Sequence, residues 1–212
     1  MTSSFVASLP TLAASCFIHQ GKLVVNGKVL FSSEAPCEEF FSELYTLSGA
    51  NYPKFYKMDA QSQLAFLCAE FLLKGSRVKD ISPFDWSVVL SCANSSNDTD
   101  IKYWANAHQA PSPAAFVYTL PNVMLGEICI RHGFKGENSC FIFNTFDTAF
   151  QVNYVNRLLE KRAKACVHGW VNFFKEEYAA FLFLTVNMSE TQGDFHSPEL
   201  INKIISNYAG ID

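Results

Sequence analysis

The stretch from residue 135 to 164 constrains the fold of this chain most strongly, because it encodes a tight turn, a strand and a long helix in immediate succession. After the turn-forming KGEN sequence at 135–138, the run CFIF at 140–143 predicts a strand. Asn144 or Thr145 is placed to cap a helix that continues to about Lys164, with apolar side chains at helical spacing. A strand that leads directly into a helix is typical of α/β folds.

The other apolar segments extend this interpretation to a single α/β domain over residues 1–212. Residues 23–31 predict a β-hairpin, because Asn26-Gly27 supplies the two positive-φ residues of a type I′ turn. We expect further strands at 86–93, 165–171 and 179–186, helices at 61–74 and 200–208, and polar loops at 94–100 and 189–198. Together these elements predict one five-stranded mixed sheet covered by helices.

Composition excludes several functional classes. The formal charge of the 212 residues is −4, and no basic stripe could neutralise the phosphates of a nucleic acid. No apolar run reaches the ~18 residues needed to cross a membrane. The first basic residue is Lys22, so the N-terminus does not fit a signal peptide, and we expect a cytoplasmic protein. The seven cysteines form no C-x-x-C pair, which indicates reduced structural thiols and neither a metal site nor a cofactor.

Two groups of motifs resemble the β-ketoacyl synthases. The first comprises SP at 112–113, PN at 121–122, a following apolar run and KGEN at 135–138, and the second comprises KMD at 57–59 followed by SQLA at 62–65. The resemblance covers about residues 56–186 and implies the N-terminal half of the thiolase-like fold. It departs from the family near the N-terminus, where no glycine-rich first strand and turn is evident. It also departs at 147–150, where a serine-glycine step normally follows the nucleophile.

The same resemblance implies that the catalytic apparatus is missing. Ungapped counting from Asn138 places the family's nucleophilic cysteine at Thr145, whose hydroxyl is better suited to capping a helix than to attacking a thioester. The family's two catalytic histidines lie in HGTGT-like and GHT-like motifs in a second half that this sequence does not match. We interpret His132 and His168, which lie outside such motifs, as structural residues, and we expect no activity from the chain on its own.

A non-catalytic partner of a complete β-ketoacyl synthase is therefore the leading hypothesis. Family members are two-fold dimers in which a segment resembling SPFF lends side chains to the neighbour's acyl pocket, and this segment corresponds to Ala114, Ala115 and Phe116. Small residues at 114 and 115 would leave that pocket open, with Phe116 or Tyr118 bounding it. This is similar to a chain-length factor, and short forms resemble those of aryl polyene and flexirubin pigment pathways. An apolar face left by the absent second half predicts a heterodimer or a self-dimer.

Two alternatives remain open. A small acyl-thioester hydrolase or acyltransferase could use Cys140 or another cysteine as the nucleophile with His132 or His168 as the base, since such groups are assembled in space. A degenerate homodimer that binds an acyl carrier protein is also possible, although the acidic chain would not obviously attract an acidic carrier.

Overall fold

The computed structural model describes residues 9–74, 76, 78, 80–107, 112–187 and 194–209. These residues form one mixed sheet with helices on both faces. The strands are β1 (Thr11–His19), β2 (Lys22–Val25), β3 (Lys28–Ser32), β4 (Trp86–Cys92), β5 (Asn138–Ile142), β6 (Ala165–Phe174) and β7 (Glu177–Val186). The α-helices are α1 (Cys37–Ser48), α2 (Ala60–Lys74), α3 (Asn97–Ala107), α4 (Pro113–Val117), α5 (Val123–His132), α6 (Thr148–Lys161) and α7 (Pro198–Ala209).

The strand order is β3-β2-β1-β7-β6-β4-β5, with β4 parallel to both β5 and β6 and every other pair antiparallel. The α/β class and the mixed sheet are confirmed, but the expected count of five strands is wrong, because the described sheet has seven. The predicted hairpin is confirmed as β2 and β3, and both Asn26 and Gly27 have positive φ angles. One strand was not predicted: β1, which contains no glycine and lies between β2 and β7.

Three helices cover one face of the sheet. The central one is α2, in which ten of the fifteen residues are buried because it packs on β1, β6 and β7 while α1 and α5 cover its outer side. Its Leu64, Phe66 and Leu67 are fully buried, which agrees with the apolar periodicity read from residues 61–74. Burial of each such side chain contributes about 2 kcal/mol to folding.

The opposite face of the sheet is covered by α6 and α7. Val155 and Leu159 of α6 pack against Val89 of β4, and Ile201 of α7 packs against Phe17 of β1. Within the described ranges, no helix is both long enough and apolar enough to cross a membrane.

Several predicted element ends are wrong. The cap of α6 is Asp147, not Asn144 or Thr145, because the Asp147 carboxylate accepts a hydrogen bond from the Phe150 backbone N–H at 2.9 Å. Residues 94–100 are not all loop: α3 begins at Asn97, and the acidic residues of its first turn suit the positive end of the helix dipole. The last helix begins at Pro198, and residues 189–193 of the predicted loop lie outside the described residues.

Candidate functional site

The turn between β5 and α6 is the place where the resemblance puts a nucleophile. Thr145 lies there in an exposed bend, two residues before the Asp147 cap. Within the described part of the chain, its hydroxyl makes no hydrogen bond, either to a backbone N–H or to a base. The side chain is therefore neither a helix cap nor an activated nucleophile.

The segment matched to the synthase acyl-pocket region forms the short helix α4. Ser112 caps it by accepting a hydrogen bond from the Ala115 N–H at 3.2 Å. Ala114 is exposed, Ala115 is half-buried, and Phe116 keeps 54% of its surface exposed. Phe116 also packs beside Tyr103 of α3, with 5.7 Å between the ring centroids. Three of the four predicted pocket residues thus lie together on an outer surface.

Tyr118, the fourth of these residues, points into the chain and is buried. Its hydroxyl donates a hydrogen bond to Glu127 Oε1 of α5 at 3.0 Å, and Lys54 Nζ lies 2.7 Å from the same oxygen. Burial raises the pKa of Tyr118, and the hydrogen bond to Glu127 raises it further. Tyr118 therefore anchors the end of α4 to α5, an arrangement that the sequence motif did not reveal.

Five exposed apolar side chains from α3, α4 and the turn after α4 form what we call the α3–α4 surface. They are Ile101, Trp104, Phe116, Val117 and Leu120. An open hollow of about 720 Å³ lies between the two helices. The base of the surface is fixed by Ser96 Oγ, which donates to the Thr119 carbonyl oxygen at 2.6 Å. Residues 108–111, which join the helices, lie outside the described residues.

The edge strand β5 adjoins this surface. On one side of the strand, Cys140 Sγ lies 3.8 Å from the carbonyl oxygen of Pro121, in the turn that follows α4. On the other side, Phe141 packs edge-on against Phe150 and Tyr154 of α6, with centroid distances of 4.8 and 5.1 Å. Ile142, at the end of the strand, is exposed. Apolar groups therefore flank both sides of this sheet edge.

The outer face of α6 is not apolar. Its exposed positions include Asn153, Arg157, Glu160 and Lys161. The exposed apolar face that the resemblance led us to expect is thus not on the outer side of this helix. The exposed apolar side chains of this region are instead on the α3–α4 surface and at the β5 edge.

Two thiols lie on neighbouring parallel strands at this edge. Cys140 of β5 pairs with Leu90, two residues before Cys92 of β4. A hydrogen bond from Cys140, together with the Ser95 backbone and Gln61, lowers the pKa of Cys92 to about 7 against the opposing effect of burial. The bond to Cys92 and burial raise the pKa of Cys140. Cys92 is fully buried, so its thiol is closed off from solvent.

Neither predicted base lies beside Cys140. His168 pairs with Val89, whose side chain lies on the α6 face, whereas Cys140 pairs with Leu90 and lies on the α5 face. His132 stacks on Phe134 near the start of β4 and contacts Glu70. A pair of Cys140 with His132 or His168 as its base is therefore not assembled.

A separate polar cluster is buried beneath α6 and α7. The His168 and His196 rings lie 4.8 Å apart between centroids. His168 Nε2 is 2.9 Å from Thr185 Oγ1, and His196 Nδ1 is 2.8 Å from Asn156 Oδ1. Burial lowers the pKa of both histidines, that of His196 to about 4. Both rings are structural and neutral, and no group of three or more His, Cys, Asp or Glu side chains among the described residues could hold a metal ion.

Solved structures of ketosynthases and chain length factors have a fold similar to that of this chain. A type II polyketide synthase acyl-carrier protein in complex with its ketosynthase gives a TM-score of 0.58 at 11% identity, over 86% of this chain and 63% of that chain. A ketosynthase in complex with its chain length factor, from Xenorhabdus doucetiae, gives a TM-score of 0.52 at 15% identity, over 85% of this chain and 80% of that chain. The ishigamide ketosynthase/chain length factor gives a TM-score of 0.62 at 8% identity, over 86% of this chain and 59% of that chain.

The chain therefore has the thiolase-like fold of ketosynthases and chain length factors, as the motifs indicated, and it spans less than two thirds of the length of two of these three chains. No protein-family model and no curated protein sequence matches it.

Proposed function

We propose that this chain is a non-catalytic ketosynthase-like subunit that pairs with a complete β-ketoacyl synthase and shapes the length of the acyl chain that its partner makes. The observation that carries the proposal is the exposed β5 edge with the α3–α4 surface beside it. An unpaired strand edge offers backbone N–H and C=O groups to another strand, and exposed apolar groups beside it favour a protein partner over water.

The β5–α6 turn supports the non-catalytic part of the proposal. An active synthase needs a thiolate at this turn, whereas Thr145 is exposed and, among the described residues, its hydroxyl is not hydrogen-bonded to a base. The chain would thus contribute a surface to its partner while the partner performs the condensation. The fold neighbours fit this division of labour, because two of them are described as combining a ketosynthase with a chain length factor.

In this proposal α4 is the part that reaches the partner's acyl pocket. Ala114 and Ala115 leave room there, and Phe116 bounds the space that remains. Tyr118 holds α4 in position through Glu127 instead of lining the pocket itself. We extend the proposal to a single N-terminal synthase-like domain over residues 1–212, to a cytoplasmic location and to polyene pigment biosynthesis, with an acyl carrier protein delivering the substrates.

Co-expression with each complete ketosynthase from the same genome tests this function. We expect one pair to make a long polyene product that neither subunit makes alone. Ala115→Phe should shorten that product, because the larger side chain would fill the space beside Phe116, whereas Ala149→Phe, on the exposed face of α6, should leave product length unchanged. Thioester turnover by the isolated chain, with no effect on any partner's product, would contradict the proposal.

A further inference from the structure

A second concave site lies at the opposite end of the parallel strands from α4. Its cavity, of about 300 Å³, is formed by the loop before β4, the turn before β5 and the last turn of α6. The turn before β5 can approach the first residue of β4 because position 136 is glycine. A Cβ there would collide with the carbonyl oxygen of Trp86. The cavity size is at the lower end of the range for small-molecule sites.

Three cations converge on this cavity from two separate segments. Lys135 comes from the turn before β5, and Lys161 and Arg162 come from the end of α6. Among the described residues, none of the three is in an ion pair, in contrast to nearby Lys164, which lies 3.4 Å from Asp85. The dipole of α6 accounts for the two cations at its own end, but Lys135 belongs to a different element. In a chain of net charge −4, this is a local excess of positive charge.

An exposed aromatic ring borders the same cavity. Phe84 has 55% of its surface exposed, and Lys135 Nζ lies 5.5 Å from its ring centroid. The acid in the lining is Glu137, which accepts a hydrogen bond from the Tyr154 hydroxyl at 3.0 Å. Three cations against this one carboxylate leave a net positive site beside a flat apolar ring.

We infer that this cavity binds a nucleoside diphosphate, with its phosphates on Lys135, Lys161 and Arg162 and its base against Phe84. Guanidinium and ammonium groups form charge-assisted hydrogen bonds with phosphate oxygens, and an aromatic ring provides a stacking surface for a base. The inference does not depend on the pairing function, because the α3–α4 surface lies at the other end of the strands.

Calorimetric titration at low ionic strength with ADP, inorganic pyrophosphate and adenosine tests the inference. We expect ADP to bind more tightly than either fragment. Lys135→Gln and Arg162→Gln should each weaken ADP binding about tenfold, which corresponds to the loss of one charge-assisted contact. Phe84→Leu should weaken ADP binding and leave pyrophosphate binding unchanged. Lys28→Gln removes an exposed charge in β3 and is the matched control, for which we expect less than a twofold change.

Two results would overturn the inference. One is that ADP fails to bind the unaltered protein at millimolar concentration. The other is that Lys28→Gln weakens binding as much as Lys135→Gln does, which would show attraction to overall charge and no defined site. Lys135 lies outside the helices, so its substitution leaves α6 intact, and thermal melting of each variant confirms the fold.

Discussion

The buried histidine pair predicts a specific loss of stability on mild acidification. His196 is buried and its pKa is about 4, against 6.5 when it is free in water. Because the folded-state pKa is lowered, the stabilisation is fully present above pH 6.5 and is lost as the pH falls from 6.5 towards 4. Proton linkage gives a loss of about 2 kcal/mol between pH 7.5 and pH 5.0 from His196 alone. The pKa values of His168 and His132 are also lowered, so both add to the loss in the same direction.

Urea unfolding at pH 7.5 and pH 5.0 measures this effect. In His196→Asn the difference in unfolding free energy between the two pH values should shrink by about 2 kcal/mol. Glu199→Gln is the control at the start of α7. The pKa of Glu199 is lowered below 4.5, so the stabilisation from this carboxylate is lost only below the tested pH interval, and the difference should stay as in the unaltered protein.

The reasoning would be refuted if His196→Asn kept the full pH difference. It would also be refuted if NMR showed the His196 ring taking up a proton near pH 6.5 in the folded protein, because burial would then not disfavour its charged form. A protein that became more stable on acidification across this interval would contradict the sign of the effect.

Three further predictions concern the proposed interface and the turn that holds Thr145. Phe116→Asp should weaken partner binding about 70-fold in a titration. Burying about 100 Å² of the exposed ring at ~25 cal/mol per Å² would contribute about 2.5 kcal/mol to the binding free energy. Equal weakening by Val29→Asp, at the opposite sheet edge, would contradict this prediction. Tyr118→Phe should lower the unfolding free energy by about 1.5–3 kcal/mol in urea, because Glu127 loses a buried donor; an unchanged midpoint would show that the bond does not anchor α4. Thr145→Cys should react with iodoacetamide as an ordinary thiol of pKa about 8.5 and should form no acyl-enzyme, because it lies before the helix cap; a stable acyl adduct would contradict the proposal that this turn is non-catalytic.

Periodic and strongly apolar segments could be predicted from the sequence. The helix at α2 and the strand at β4 follow from their apolar patterns, and the Asn26-Gly27 turn fixes the hairpin through backbone sterics alone. The central strand β1 was missed because its first half, TLAAS, consists mostly of small residues with weak strand preference. Its conformation depends on pairing with β7, which is a tertiary contact.

The candidate site was only partly predictable for the same physical reason. The motif located α4 and its two alanines, but the inward direction of Tyr118 depends on Glu127, nine residues further along the chain. Capping at Asp147 instead of Thr145 depends on where β5 ends, and the pattern of CFIF followed by polar residues fits either position. Residues 84, 135 and 162 are far apart in sequence, so their convergence could be seen only in the folded chain.

Native mass spectrometry of the chain co-expressed with each complete ketosynthase of the same genome tests the central claim most directly. The account predicts a one-to-one heterodimer with one of them, which Phe116→Asp dissociates and Val29→Asp leaves intact. A chain that remains alone, or associates only with itself, in the presence of every complete ketosynthase would contradict it.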